Sequence, residues 1–317
     1  MRVALFLMTT LLPGTAYAQL DRDWPRWRGP LDNGAAAPDA KPPTEWSEQK
    51  NIRWKVEIPG RSHASPVVLG NRVYVQTAVP LAAPDTAQET AEEQSGDGGD
   101  RRRGGRGRGE STPPPPHKFV VMALDRATGD VVWQQVVREE APHEAGHPDA
   151  SPASASPLTD GERIYAHFGS RGIFCLDLNG KVLWDVDLGN MRTRRGFGEG
   201  SSPALHGDTL VVNWDHEDES FVVALDKRTG KERWRKSRDE QTSWSTPLIV
   251  EVDGKPQVII SATRRVRSYD LSTGELVWEC AGMTENVIPS PMYERGLVYA
   301  VSRFPRAAGH TIRDGQG

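Results

Sequence analysis

The sequence predicts an all-β fold of successive four-stranded antiparallel sheets, and three observations support this prediction. A motif that ends in Trp recurs four times along the chain. A Ser-Pro or Thr-Pro pair recurs between the Trp residues at nearly regular spacing. The apolar runs are short, rich in Val, Ile and Tyr, and bounded by Gly, Asp, Asn or Pro, a pattern typical of strands.

The Trp motif predicts a tight turn before the last strand of each repeat. In every copy Gly lies four positions before Trp, and an Asp lies seven or eight positions before it. Asp can accept backbone N–H bonds within a turn, and Gly supplies the positive φ that the turn needs. We expect each Trp to be a packing residue. The copies are residues 123–133, 175–184, 224–234 and 268–278, and Trp54 resembles a further copy that lacks its turn.

The Pro marker sets the repeat length. The last four Pro residues of the marker are 46, 44 and 44 positions apart, and the first gap is 91 because an insert lies within it. After each Pro come an apolar run, a Gly-containing turn and a second apolar run. The second runs are residues 72–75, 163–166, 209–212, 257–260 and 297–300. Together with the Trp motif this gives four strands, A to D, in a repeat of the length of a propeller blade. A radial array of such sheets buries both faces of each, so the sequence predicts a β-propeller.

Targeting and composition limit the class of protein. Residues 1–18 have a basic start, a ten-residue apolar run and small residues at a cleavage site, which predicts a signal peptide cut after Ala18 and a periplasmic or secreted protein. The run is too short to cross a bilayer, so we expect no transmembrane segment in the mature chain. The net charge of −4 provides no general field for nucleic acid. Two Cys in 317 residues are too few for a disulfide scaffold.

The expected domain organisation has three parts. Residues 1–18 are the signal peptide, 19–51 a lead-in segment, and 52–317 the propeller, incomplete at its C-terminal end. An insert at about 78–117 runs from acidic through Arg-rich to Pro-rich sequence, and we expect it to be disordered because it has little apolar area to bury. Its Arg cluster is a candidate tether for an anionic partner.

The repeated Ala-Leu-Asp-x-x-Thr-Gly-x-x-x-Trp segments resemble those of pyrroloquinoline-quinone-like (PQQ-like) propellers, over about residues 52–302. That superfamily includes quinone-dependent alcohol dehydrogenases, BamB-like scaffolds of outer-membrane assembly, and uncharacterised secreted members, whose start the Trp24-Pro25-Arg26-Trp27 opening resembles. The resemblance implies an eight-bladed ring. This chain has four complete repeats and strands A and B of a fifth, so it would supply about four to five and a half blades of a longer ring. Five blades closed by a strand D at Trp54 is the alternative.

We expect function on one face of the propeller. The D–A and B–C connections emerge together and are long, whereas the A–B and C–D turns on the opposite face are short, and loops on a rigid scaffold commonly carry binding residues. On the long-loop side, Arg side chains could hold carboxylate or phosphate groups, and a Trp could act as a stacking platform. These candidate cofactor-binding residues are Arg194, Arg195, Trp244, Arg264 and Arg265.

The sequence supports candidate metal ligands less strongly than the candidate cofactor-binding residues. Asp215, His216 and Glu217 could contribute ligands to a divalent ion, but neighbouring side chains of one loop cannot all converge. His143 and His147 lie four apart in a loop flanked by Gly and Pro. We therefore expect no metal site, and no catalytic residue can be named.

The sequence favours a non-catalytic binding or protein–protein scaffold with protein partners in the cell envelope and no cofactor. The alternatives are a quinone-dependent dehydrogenase and an exported polymer- or carbohydrate-binding protein. The resemblance implies that the dehydrogenases hold PQQ with calcium beside an adjacent Cys pair, and here Cys175 and Cys280 are far apart. Oligomeric state, ligand and disulfide state stay open.

Overall fold

The computed structural model describes residues 20–81, 114–144 and 146–302. Eighteen strands in this part of the chain form four four-stranded antiparallel sheets and one hairpin. The predicted signal peptide, most of the insert and the C-terminal tail lie outside the described residues. Within the described ranges, no helix is long and apolar enough to span a bilayer.

The sheets follow one another along the chain, with the strands of each sheet in the order A-B-C-D. Blade 1 contains β1 (Val67–Leu69), β2 (Arg72–Pro80), β3 (His117–Asp125) and β4 (Val131–Glu140). Blade 2 contains β5 (Leu158–Thr159), β6 (Arg163–His167), β7 (Ile173–Asp177) and β8 (Val182–Val186). Blade 3 contains β9 (Ala204–His206), β10 (Thr209–Trp214), β11 (Phe221–Asp226) and β12 (Glu232–Ser237). Blade 4 contains β13 (Leu248–Val252), β14 (Lys255–Ser261), β15 (Arg265–Asp270) and β16 (Leu276–Ala281). The hairpin of β17 (Met292–Glu294) and β18 (Leu297–Tyr299) supplies strands A and B of blade 5.

The predicted all-β architecture is therefore confirmed, whereas the number of blades in a complete ring stays a prediction. Strands A of neighbouring blades lie side by side, as shown by the contacts of β1 with β5 and of β9 with β13. The core lies between the sheets. One apolar cluster joins Tyr74 and Phe119 of blade 1 to Phe174 of blade 2, and further clusters join each later pair of blades. Burying these side chains against the next sheet supplies the main favourable free energy of such a fold.

Three of the four Trp residues of the motif make the same contact with the following blade, as predicted. Each of the first three donates its indole N–H to a backbone carbonyl in the C–D turn of the following blade, over 2.8–3.0 Å. The ring packs on the Gly of that turn, whose φ is positive. The pairs are Trp133 with Gly180, Trp184 with Gly230, and Trp234 with Gly274. The indole of Trp278 instead donates to the side chain of Gln257 in its own blade.

Trp54 takes the same position against blade 1. Its indole N–H donates to the carbonyl of Arg126, and its ring contacts Gly129. The prediction that Trp54 ends a strand D is wrong, since residues 51–58 form no strand. A strand requires a hydrogen-bonded neighbour, and the described residues place none beside this segment. Trp54 thus makes the same contact as the motif Trp residues, although its segment forms no strand hydrogen bonds.

A belt of hydroxyl groups explains the Ser/Thr-Pro marker. The backbone N–H of each marker Ser or Thr donates to the hydroxyl oxygen of the next one along the chain, over 2.8–3.1 Å. The hydroxyl belt comprises Ser65, Ser156, Ser202, Thr246 and Ser290. These hydrogen bonds run from blade to blade beside the inner strands.

The lead-in segment closes against the inner edge of the blades. Trp24 exchanges two backbone hydrogen bonds with Val68 of β1, and the carbonyl of Pro25 accepts from the N–H of Thr159 in β5. The carboxylate of Asp23 accepts from the N–H of Gly70 and from the guanidinium of Arg126. The segment thereby ties blades 1 and 2 together from the side of the short turns.

Antiparallel pairing places the long connections on one side, which we call the loop face. It is formed by the D–A connections 141–144 with 146–157, 187–203, 238–247 and 282–291 and by the B–C connections 168–172, 215–220 and 262–264. The A–B and C–D turns on the other side have two to five residues. The difference between a plain and an elaborated face is confirmed. At the B–C connection of blade 1, β2 and β3 extend to Pro80 and His117, so both strands enter the range predicted for the insert.

Candidate functional site

Two adjoining cavities lie under the loop face. One has a volume of about 370 Å³ and lies among the D–A connections around blades 2 and 3 and the B–C turn of blade 2. The other, of about 520 Å³, is bounded by Trp27 of the lead-in segment and by the hydroxyl belt. Glu199 and Trp244 line both cavities. The candidate site is therefore concave, which is typical of small-ligand sites.

Three polar residues of the B strands are buried beneath the loop face, and two of them, His167 and Asn213, line the first cavity. Gln76, His167 and Asn213 lie ten positions after the marker Pro of blades 1, 2 and 3. The side chain of each bonds to the carbonyl just before the Ser or Thr of the next blade's marker. All three residues are buried, with exposed fractions of 1%. They fix the loop face to the sheets and leave further polar atoms in the interior.

The B–C turn of blade 2 holds the partly buried carboxylate of Glu199. The backbone N–H and the hydroxyl of Ser170 both donate to its carboxylate. Gly169, at φ +56°, passes so close that a Cβ there would overlap the carboxylate. Desolvation by burial raises the pKa of Glu199, although the hydrogen bonds from Ser170 oppose that shift. A carboxyl group with a perturbed pKa inside a cavity marks a candidate functional residue.

An aromatic wall borders the carboxylate. The ring of Phe197 lies 6.3 Å from that of Trp244 in an edge-to-face arrangement and 5.5 Å from that of His147. The indole N–H of Trp244 donates to the carbonyl of Gly198 over 2.7 Å, which fixes the ring. The structure thus places Trp244, predicted as a stacking platform, between both cavities, while its role stays a prediction.

The two Arg residues predicted before this wall have different surroundings. The guanidinium of Arg194 pairs with Glu285 at 2.6 Å, and its backbone N–H donates to the hydroxyl of Thr242. Arg195 is exposed with φ at +53°. Neither residue lines the two cavities. Their predicted anion-binding role stays untested.

The second predicted Arg pair lies in a separate ion-pair cluster at blade 4. Arg264 and Arg265 both lie within 4 Å of the carboxylate of Asp239, and Arg265 also approaches Glu279. They are not brought together with Trp244 at the cavities. Their charge is already shared with acidic neighbours, which weakens the case for a free anion site there.

The predicted weak metal candidates have structural partners. Asp215 forms a fully buried ion pair with Arg238, with oxygen–nitrogen distances of 2.7 and 3.1 Å. His216 accepts at Nδ1 from the N–H of Arg192, and Glu217 accepts from Thr242. Such engaged side chains have few lone pairs left for an ion.

The cofactor that the resemblance implies does not fit the described residues. Both thiols are free, with Cys175 buried in β7 and Cys280 exposed in β16. Over the described ranges, no three His, Cys, Asp or Glu side chains are grouped where they could hold a metal ion. We therefore derive no chemical step through a quinone.

The sequence did not single out Glu199, His167, Asn213 or Phe197. A signal for two of them exists, because aligning the repeats on the marker Pro places His167 and Asn213 at the same position, directly after the second apolar run. Glu199 has no such signal, since its burial depends on the B–C turn of a neighbouring segment.

Fold and site together define a β-propeller with two adjoining cavities under its loop face. A family model described as outer membrane protein assembly factor BamB matches residues 44–196, 116–241 and 218–316. The chain belongs to this BamB-like family of PQQ-like propellers. Two curated relatives carry the name outer membrane protein assembly factor BamB. The protein from Yersinia pestis is 23% identical over 217 residues, which are 63% of this chain and 51% of the relative. The protein from Francisella salina is 29% identical over 100 residues, which are 31% of this chain and 17% of the relative.

Two solved structures resemble this chain, and the first of them supports the fold. Quinohemoprotein alcohol dehydrogenase from Comamonas testosteroni is 11% identical with a TM-score of 0.51, covering 92% of this chain and 47% of that chain. BamB from Moraxella catarrhalis is 20% identical with a TM-score of 0.35, covering 54% of this chain and 48% of that chain. The chain spans about half the length of these structures and of the Yersinia pestis relative.

Proposed function

We propose that this protein is a non-catalytic binding scaffold of the periplasm that engages protein partners through its loop face. Family membership supports the proposal, since the matched relatives are named outer membrane protein assembly factors. The observation that carries it is the concave site at the loop face, with Phe197 exposed at its rim. Exposed aromatic side chains beside a pocket are common anchors of protein interfaces.

The partners proposed on this basis are proteins of outer-membrane assembly. Full-length protein would be captured from cross-linked envelope extracts through a C-terminal tag, and assembly proteins would be quantified by mass spectrometry. We expect Phe197→Ala to reduce their recovery at least tenfold, because it removes a rim contact. Leu276→Ala is the matched control, since Leu276 is an exposed apolar residue just after a C–D turn, away from the loop face. Equal recovery with both variants would contradict the proposal.

A quinone-dependent dehydrogenase stays the alternative that the sequence raised. The discriminating measurement is dye-linked alcohol oxidation by the full-length protein with added quinone and calcium. Dye reduction above that of a denatured sample would overturn the non-catalytic proposal.

A further inference from the structure

The residues that line the smaller cavity, of about 370 Å³, include an unusual set of polar groups. Its lining residues include three buried polar atoms that have no hydrogen-bond partner among the described residues. They are Nε2 of His167, Oδ1 of Asn213 and Nε of Arg171. A buried polar atom without a partner costs free energy, so a site that collects such atoms is expected to receive a complementary group.

Two of these three atoms are acceptors. Nδ1 of His167 lies 3.2 Å from the carbonyl of Ser201 and must carry the proton, because a carbonyl only accepts. Burial lowers the pKa of His167 to about 4 and keeps the ring neutral, so Nε2 is left as an acceptor. The amide nitrogen of Asn213 donates to Ser243 and Ser245, which leaves Oδ1 as an acceptor as well.

Negative charge exceeds positive charge on the same wall. Glu199 accepts from Ser170, and Glu144 accepts from Thr193, but neither carboxylate pairs with Lys or Arg in the described ranges. The other charged lining groups are mostly compensated. Arg171 pairs with Glu140 and Asp215 with Arg238. The guanidinium of Arg61 donates to the neutral carbonyl of Pro148 and keeps its positive charge, so the carboxylates of Glu199 and Glu144 exceed it by one negative charge.

The rest of the lining is apolar. It includes Phe168, Met191, Trp244 and several Pro residues. Such a wall can hold an aliphatic chain, and the Trp244 ring can also face a cation. A ligand that matches this cavity has donors and positive charge at one end and an apolar arm.

We propose that this cavity binds a primary ammonium ion carried on an aliphatic chain, with the ammonium group at Glu199 and its remaining N–H bonds directed to His167 and Asn213. Three donors and no acceptor are what an ammonium group presents. The source is either a lysine side chain of a partner or a free alkylamine. This inference rests on the proposed function only in using the loop face as the binding surface.

The test is isothermal titration calorimetry of the full chain with n-butylammonium chloride and with 1-butanol, a neutral probe of the same length. We expect the ammonium ion to bind at least tenfold more tightly than the alcohol. Glu199→Gln, which removes the charge and keeps the shape of the side chain, should lower the affinity for the ammonium ion at least tenfold. Glu219→Gln is the control, because Glu219 is an exposed carboxylate of the loop face outside the cavity, and it should change the affinity less than twofold.

Equal affinity for the alcohol and the ammonium ion, or an unchanged affinity in Glu199→Gln, would overturn the inference. Should Glu199→Gln fail to fold by circular dichroism, Glu144→Gln removes the other carboxylate charge of the lining and should also weaken butylammonium binding, and an unchanged affinity would count against the inference. A third probe, Nα-acetyl-lysine methylamide, identifies the source. Comparable binding of this probe indicates a lysine side chain, and tenfold preference for butylammonium indicates a free amine.

The two proposals can fail separately. Butylammonium binding without recovery of assembly proteins retains the ammonium site and rejects the scaffold function. Recovery of assembly proteins that depends on Phe197, without butylammonium binding, retains the scaffold function and rejects the ammonium site.

Discussion

At the scale of single residues, the polar side chains in the B strands have two tasks. His167 and Asn213 each hold a carbonyl of the next blade and present a second polar atom to the interior. A core built only of apolar residues would satisfy packing but could not fix the loop face in this way. The polar atoms left over are the cost of that positioning, and they give the cavity its chemistry.

His167 makes the stability depend on pH. Its pKa is lowered from 6.5 to about 4 by burial, so between these values the unfolded chain takes up a proton that the folded protein excludes. The free energy of unfolding is therefore unaffected by this titration above pH 6.5. It decreases as the pH falls towards 4, by up to about 3 kcal/mol. Urea unfolding at pH 7.5, 5.5 and 4.5 would show a steeper loss for the natural protein than for His167→Gln.

The comparison with His167→Gln isolates this residue. Glu199, whose pKa is raised by burial, acts in the opposite direction because the folded protein retains its proton to a higher pH. It is present in both proteins and its effect cancels in the difference. Equal pH slopes would show that His167 is not buried as a neutral ring.

At the scale of elements, the C–D turn has two structural roles. The carboxylates of Asp125, Asp226 and Asp270 cap their turns by accepting two backbone N–H bonds each. The Gly that follows has positive φ and packs on a Trp ring, which is Trp54 for blade 1 and the Trp of the preceding blade for blades 3 and 4. A local turn is thereby also a joint between sheets.

Variants at Gly180 and Gly207 distinguish the strain of the turn backbone from the loss of the Trp contact. At Gly180, φ is +89° and a Cβ would lie 2.8 Å from the ring of Trp133, whereas at Gly207 φ is +56° and no atom lies within 4 Å. We expect Gly207→Ala to cost about 1 kcal/mol for backbone strain alone. Gly180→Ala should cost about 2–4 kcal/mol, because overpacking adds to the strain. Urea unfolding of both variants measures the difference, and equal losses would argue against the Trp contact.

The sequence predicted these elements because their causes are local. Asp226, Gly230 and Trp234 lie within nine positions of one another, and their turn chemistry can be recognised without a structure. The same reasoning overestimated Trp54, whose strand depends on a partner segment. It also missed the site at Glu199, because the turn that buries this carboxylate lies 29 positions away.

At the scale of the whole molecule, contacts between neighbouring blades recur at the outer strands and at the inner strands. The Trp and Gly pairs join the outer strands, and the hydroxyl belt joins the inner ones. The lead-in segment adds a third connection through Trp24 and Asp23. Blades 1 to 4 are thus held to their neighbours at both edges, whereas the belt joins blade 5 to blade 4.

Ser202→Ala tests the inner connection. It removes the hydroxyl that accepts from the buried N–H of Ser156 over 2.8 Å, and an unsatisfied buried N–H costs about 1–3 kcal/mol. We expect that loss in urea unfolding, with faster hydrogen exchange at the Ser156 amide and unchanged exchange in β11. Ser202→Thr is the control, since Thr246 has the same role in blade 4. Unchanged exchange at Ser156 in Ser202→Ala would count against the belt.

The belt has an evolutionary consequence. Each unit offers an amide to one neighbour and a hydroxyl to the other, so a unit copied in tandem arrives with both halves of the joint already made. Gene duplication can therefore enlarge or shrink such an assembly without inventing new contact chemistry. Selection is then free to act on the long connections, where one copy can diverge while the others preserve the frame.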